Sequence, residues 1–256
     1  MPLLQDYNKL FEQDSNIRKI IVGGNVVWPA KHVPPDPQTV PFTVRNMESS
    51  SIEWPVNTYY SYSTVPGQWI TPAEQGVIEL EPGEKMMIIR ATQPVTMWQS
   101  QFLRPTNKRF NISGNILSLL DGNNFSEITS VGGSAFNNIF ANTQVDIDEL
   151  TLYPTTYTGS SSAYGCYERM FNGCTSLTKS PVICLDTLSG HSCWRMFMGC
   201  SNLTEITCLA TSKAGENETT DWVNGVAQNG TFYCKDTLIW PTSTSGIPSG
   251  WTVVEV

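Results

Sequence analysis

The spacing of hydrophobic positions changes several times along the chain, and each spacing predicts a different kind of element. Leu3, Leu4, Tyr7, Leu10 and Phe11 recur at intervals of three and four, which lines one face of a short N-terminal helix. Ile20-Ile21-Val22 and Val26-Val27-Trp28 then flank Gly23-Gly24-Asn25. That combination predicts a β-hairpin, because Gly and Asn accept the positive φ of a tight turn. Five prolines between Pro29 and Pro41 make a stiff, extended spacer. From Val40 to Phe110 the pattern becomes short alternating runs rich in aromatic and β-branched residues. Phe42 to Val44, Tyr59 to Tyr62, Val77 to Leu80 and Met86 to Ile89 read as strands, with Pro66-Gly67 and Pro82-Gly83 as turns. Strands this close together predict a small antiparallel β-sandwich. Trp54, Trp69 and Trp98 are each large enough to anchor its core, and an exposed one would instead offer a face for stacking a sugar.

The last part of the chain repeats itself. Arg169-Met170-Phe171-Asn172-Gly173-Cys174-Thr175-Ser176-Leu177-Thr178 aligns without gaps on Arg195-Met196-Phe197-Met198-Gly199-Cys200-Ser201-Asn202-Leu203-Thr204, with seven of ten positions identical. Just upstream, Cys166-Tyr167 pairs with Cys193-Trp194 at a shift one residue longer, which predicts a length change inside the unit. Looser copies run from Phe136, Ile139 and Phe140 into Leu150-Thr151-Leu152-Tyr153-Pro154, and from Trp222 through Gly225 to Phe232. One unit cannot bury its own apolar face, so the units must stack into a solenoid. In each, a short helix supplies Met and Phe to the interior, Gly followed by Cys closes it, and Leu-Thr starts a strand. The expected core is Met170, Phe171, Cys174, Leu177, Met196, Phe197, Cys200 and Leu203. Trp251, Val253 and Val254 read as a closing strand over the open end. The expected fold is therefore mainly β: an N-terminal helix and hairpin with linker over 1–36, a β-sandwich over 37–111, and a short α/β solenoid over 112–256.

Charge and cysteine content narrow the functional classes. The net charge is −8, with ten basic and ten acidic side chains up to residue 111 and five basic against thirteen acidic beyond it. Duplex nucleic acid would select the opposite sign. No run approaches the roughly 18–20 apolar residues of a membrane-spanning helix, and the N-terminus has neither the basic nor the apolar region of a secretory signal. All seven cysteines lie between Cys166 and Cys234. A ladder of buried thiols and disulfides between rungs both fit that placement. His32 and His191 stand in no nucleophile or metal motif, and the cysteine spacings are not those of a zinc site. Asp146, Asp148 and Glu149 are the densest carboxylates and lack the calcium-loop pattern. Neither an enzyme activity nor a cofactor is expected. A glycan hydrolase built on Asp146 and Asp148 would need both carboxylates facing one cleft.

The repeat resembles a known family. Phe171-Asn172-Gly173-Cys174-Thr175-Ser176-Leu177-Thr178 is similar to the signature of BspA-like leucine-rich repeats, found in surface proteins of gut Bacteroidales and in their crAss-like phages. Phe110 to Leu119 with Gly122-Asn123-Asn124-Phe125 resembles the segment that introduces such repeats, and Tyr60 to Ser63 with Gly67-Gln68-Trp69 the β-sandwich module ahead of it. The likeness spans roughly residues 38–256. Only two units are well formed, and the family's Leu-Pro strand motif is degraded here to Leu152-Tyr153-Pro154 and Cys184-Leu185-Asp186.

The resemblance implies a non-enzymatic surface protein. Cellular members carry an export signal or lipid anchor, whereas a virion protein needs neither. The expectation is accordingly a phage head or tail fibre or decoration protein on the virion surface, the alternative being a bacterial adhesin of the same repeat family. Leu3, Leu4, Tyr7, Leu10, Phe11, Ile20, Val22 and Trp28 are the expected contacts to other virion proteins and to sister chains in a dimer or trimer. The alternative for this segment is an ordinary helix and hairpin folded onto the next domain. The acidic repeats would face a host-surface glycan or protein.

Overall fold

The computed structural model describes residues 20–22, 25–28, 39–94, 104–153, 156–157, 165–214, 217–235, 237 and 239–256. The chain divides into two compact units, residues 1–33 with Val256 and residues 34–255. In the first, β1 (Ile20–Val22) and β2 (Asn25–Trp28) form the expected antiparallel hairpin, with Ile20 opposite Trp28, Val22 opposite Asn25 and a bulge between Ile20 and Ile21. Leu3, Leu4, Tyr7, Leu10 and Phe11, and with them the expected N-terminal helix, lie outside the described residues.

The second unit contains β3 (Thr43–Asn46), β4 (Ile52–Val56), β5 (Tyr60–Ser63), β6 (Gly76–Leu80), β7 (Lys85–Arg90), β8 (Arg109–Gly114), β9 (Ser130–Val131) and β10 (Gln144–Leu152). It continues with β11 (Thr156–Tyr157), β12 (Lys179–Ile183), β13 (Thr187–Leu188), β14 (Glu205–Cys208), β15 (Ser212–Lys213), β16 (Thr231–Cys234) and β17 (Thr252–Glu255). Nine of these strands make one mixed sheet in the order β17-β16-β14-β12-β10-β8-β3-β7-β5. From β8 to β17 all neighbours are parallel, whereas β8-β3, β3-β7 and β7-β5 are antiparallel. Antiparallel β4-β6 makes a separate two-stranded sheet.

Strand β8 joins the two kinds of pairing. Val44 lies opposite Ile112 on its antiparallel side, and Ile147 opposite the same Ile112 on its parallel side. The expected boundary between residues 111 and 112 falls inside this strand, so sheet pairing runs unbroken from the sandwich strands into the repeats. The core is continuous as well. Trp54 meets Phe110 edge-on at 5.1 Å, Phe110 meets Phe140 at 6.5 Å, and Phe140, Phe171 and Phe197 stack in turn at 5.6 and 5.9 Å. The row ends at Trp222 and Trp240, 5.2 Å apart. Stacking of this kind adds about 0.5–1.5 kcal/mol per pair to the area buried.

One expectation is corrected. The protein is mainly β, and among the described residues no helix reaches seven residues, so the repeat is not an α/β unit. The segments that carry Met and Phe are chains of consecutive turns instead. Alternate N–H groups close turns within a rung, as in Met170 N to Tyr167 O and Cys174 N to Phe171 O, while those between reach the next rung, as in Arg169 N to Trp194 O and Phe171 N to Met196 O. A helix would keep those second bonds to itself. The arrangement needs a left-handed residue every fourth position, and Ser134, Asn138 and Asn142, then Arg169 and Gly173, then His191, Arg195 and Gly199, then Asp221 and Gly225 supply it. For a residue with a Cβ this costs roughly 1–2 kcal/mol, offset by backbone pairing along both the turns and the strands of each unit.

Candidate functional site

Turn bonds fix the register of the rungs, and this changes which residues share a column. Tyr167 N donates to Ser192 O and Gly173 N to Met198 O, the same offset throughout, so the expected one-residue length change inside the unit is absent. Cys166 therefore aligns with Ser192 and Tyr167 with Cys193. A Cβ on Gly165 would lie 1.9 Å from His191 O, which places those two backbones one above the other. The ladder expected from Cys166 to Cys193 is corrected accordingly. The ladder from Cys174 to Cys200 is present: their Sγ atoms donate to Phe140 O and Phe171 O at 2.9 and 3.0 Å, one rung apart. A second pair, Cys208 and Cys234, stands in register on β14 and β16. Cys184 closes the set, and all seven cysteines are buried and none forms a disulfide. Met170, Phe171, Cys174, Leu177, Met196, Phe197, Cys200 and Leu203 are all fully shielded from solvent.

Burial also decides the chemistry of the sulfurs. It pushes Cys166, Cys184 and Cys208 up to about 12 and Cys193 well above the ordinary thiol value. The thiolate is the nucleophile, so these cysteines are held in the unreactive form. The sequence neighbours His191 and Cys193 make no catalytic pair: Cys193 is fully buried, whereas the His191 ring lies edge-on to Trp194 at 6.4 Å.

The outer side of the turns carries a constellation absent from the sequence reading. Arg169 and Arg195, equivalent residues of successive rungs, each hold the guanidinium carbon 4.4 Å from the centre of the Trp194 ring. Arg195 also pairs with Asp221 on the next rung at 3.6 Å, and Arg169 with Glu168 at 3.6 Å. The available signal was the duplicated arginine with a tryptophan beside the second copy; without the rung register it could not be read as a stack. Arg104 caps the other end of the ribbon, donating from Nη2 to Asn138 O and Ala141 O at 3.3 and 3.4 Å.

Glu168 is 1% exposed, and burial raises its carboxyl above the ordinary glutamate range against the opposing pull of Arg169. A carboxyl with a raised folded pKa holds its proton more tightly in the folded state. Its contribution is therefore fully present below the unfolded glutamate value and is lost as pH climbs through the folded one. Glu168→Gln is expected to melt higher than the parent at pH 7, with the difference closing toward pH 4. Thermal scans across that range check this, and a variant that melts lower at pH 7 overturns it.

On the solvent side of the nine-stranded sheet, Asp146 accepts from Thr178 N and Oγ1, both at 3.3 Å, and Asp148 from Asn111 Nδ2 at 2.6 Å. Each carboxylate is thus engaged by a neighbouring segment. Glu149 follows the β-bulge that interrupts the β8-β10 ladder and is exposed. Among the described residues no group of three or more His, Cys, Asp or Glu side chains is placed to hold a metal ion, and no helix is long and apolar enough to cross a membrane. Trp54 is buried, Trp69 is 39% exposed, and Trp98 lies outside the described residues. A small cleft is lined by Trp54, Val56, Asn57, Tyr60, Tyr62 and Met86, from strands β4, β5 and β7 and the turn between β4 and β5.

No family model matches the chain, and neither a curated protein nor a solved structure does.

Proposed function

We propose that this chain is a non-enzymatic structural protein of a phage virion, a head or tail fibre or decoration protein displayed in many copies on the particle. The observation that carries the reading is the division of the chain into a small N-terminal unit, residues 1–33 with Val256, and a large body over residues 34–255. The apolar spacing of Leu3, Leu4, Tyr7, Leu10 and Phe11 and the hairpin that follows suit docking, and Ile20, Val22 and Trp28 stand on paired strands there. They would hold the chain to other virion proteins and to its sister chains in a dimer or trimer. The body would act as a stalk that ends in the repeats, with its sheet continuous across β8. Buried, protonated thiols and carboxylates already engaged by neighbouring segments fit display better than catalysis. Weak contacts of the repeat surface with host glycan or protein would gain strength from copy number.

Deleting residues 1–36 tests the assignment. The truncated body is expected to keep the parent's cooperative melting and to vanish from purified particles. Incorporation at the parental level rejects the anchor. Imaging particles that carry the full chain places it on head or tail, and its absence from particles rejects the virion reading as a whole.

A further inference from the structure

The chain contains three Asn-Gly pairs, Asn172-Gly173, Asn224-Gly225 and Asn229-Gly230. In such a pair the glycine nitrogen can attack the asparagine side-chain carbonyl, because no Cβ obstructs the approach. The nitrogen loses its proton, its bond to Cγ forms, and ammonia leaves. Water then opens the resulting five-membered imide to aspartate or to isoaspartate. Ring closure requires the peptide between the two residues to rotate, so backbone hydrogen bonds on that peptide oppose it.

The three pairs differ sharply in this respect. Asn172 is locked on three sides: its N–H donates to Arg169 O at 3.1 Å, its carbonyl accepts from Asn142 N at 2.7 Å, and the N–H of Gly173 donates to Met198 O at 2.8 Å. Its side-chain amide nitrogen is buried as well. Asn224 is held at both ends, donating to Asp221 O at 3.2 Å and accepting from Gly199 N at 2.8 Å. Asn229 belongs to no rung. It is an exposed residue in the bend that leads into β16. The backbone bonds that tie the chain down after it are Thr252 N to Gly230 O at 2.9 Å and Thr231 N to Thr204 O at 2.8 Å.

We propose that Asn229-Gly230 is a site of spontaneous covalent modification, the asparagine converting to aspartate and isoaspartate in the folded protein while Asn172 and Asn224 are protected by the rung bonds. The product adds a negative charge to a half that is already acidic. In its isoaspartyl form it also lengthens the backbone by one carbon two residues before Thr231, which pairs with Glu205 and Thr252. That change falls where β16 receives the terminal strand.

The full chain, aged at mildly alkaline pH and mapped by peptide mass spectrometry, tests the proposal. In the folded protein, acid is expected at Asn229 at least about tenfold faster than at Asn172 or Asn224, a difference in barrier set by the fold. In urea, where the rungs are lost, the three rates should converge. Asn229→Gln should abolish most of the charge gained on ageing without changing the melting temperature. Conversion of Asn172 or Asn224 as fast as Asn229 in the folded chain overturns the proposal. So does an Asn229 that stays intact while the urea sample converts.

Discussion

Gly114→Ala is expected to destabilise the body by roughly 3–5 kcal/mol, the range reserved for substitutions that strain a fixed backbone. Gly114 ends β8 with φ +81°, and a Cβ there would lie 2.2 Å from Pro41 O and 2.9 Å from Pro41 C. The obstacle is backbone and cannot swing aside. It is held in place by Asn115 N donating to Val40 O at 2.9 Å and by the bridge between Pro41 and Asn115. Gly67→Ala is the matched control, since Gly67 has φ +82° and nothing within 4 Å of the added carbon. It pays only the conformational strain, about 1–2 kcal/mol. Urea titrations of the two variants separate strain from collision. Equal losses would show that the β3-β8 seam can open to admit a methyl group, and the continuity of the sheet would then matter less to stability than its pairing suggests.

Much of the fold was legible because strand periodicity and turn chemistry are local. The four strands expected in the sandwich differ from those observed by a residue or two at each end, and Gly67 and Gly83 take the positive φ that their Pro-Gly turns predict. Strand β4 was missed because Pro55 interrupts Ile52–Val56, and proline is confined to edge positions such as this two-stranded sheet provides. Strands β12 and β14 follow the Leu-Thr pairs at 177–178 and 203–204, and β17 takes in Val253 and Val254. What could not be read was the turn ribbon. Spacings of three and four in Met170, Phe171 and Cys174 are those of a helix, and the bonds that decide otherwise run to a rung twenty-five residues away. Non-glycine residues with positive φ, such as Arg169 and Arg195, carry no local mark of it. The Arg-Trp-Arg stack was hidden for the same reason, since it exists only once the rungs are in register. Cys166 matches Cys193 by identity alone, whereas the turn bonds set Cys166 beside Ser192.

Phe171→Ala tests whether the rungs and the antiparallel strands hold one another up. Phe171 is fully buried and stacked between Phe140 at 5.6 Å and Phe197 at 5.9 Å, and Phe140 in turn stacks on Phe42 at 5.8 Å. Removing the ring leaves a cavity in the middle of that row, with an expected cost of about 3–5 kcal/mol. In a stack of repeats, stability is the sum of each unit and its interfaces with its neighbours. This one substitution weakens two interfaces together. Out of a total that is about 5–15 kcal/mol for a typical domain, such a loss should uncouple the C-terminal rungs from the rest. Hydrogen exchange is the discriminating measurement. Protection is expected to fall at the amides of Phe171 and Arg169, which bond to Met196 O and Trp194 O, while the amides of β5 and β7 stay protected. Uniform loss of protection from β5 to β17 would mean instead that the antiparallel and parallel parts of the sheet unfold as one cooperative body, with β8 too strong a joint for either side to open alone.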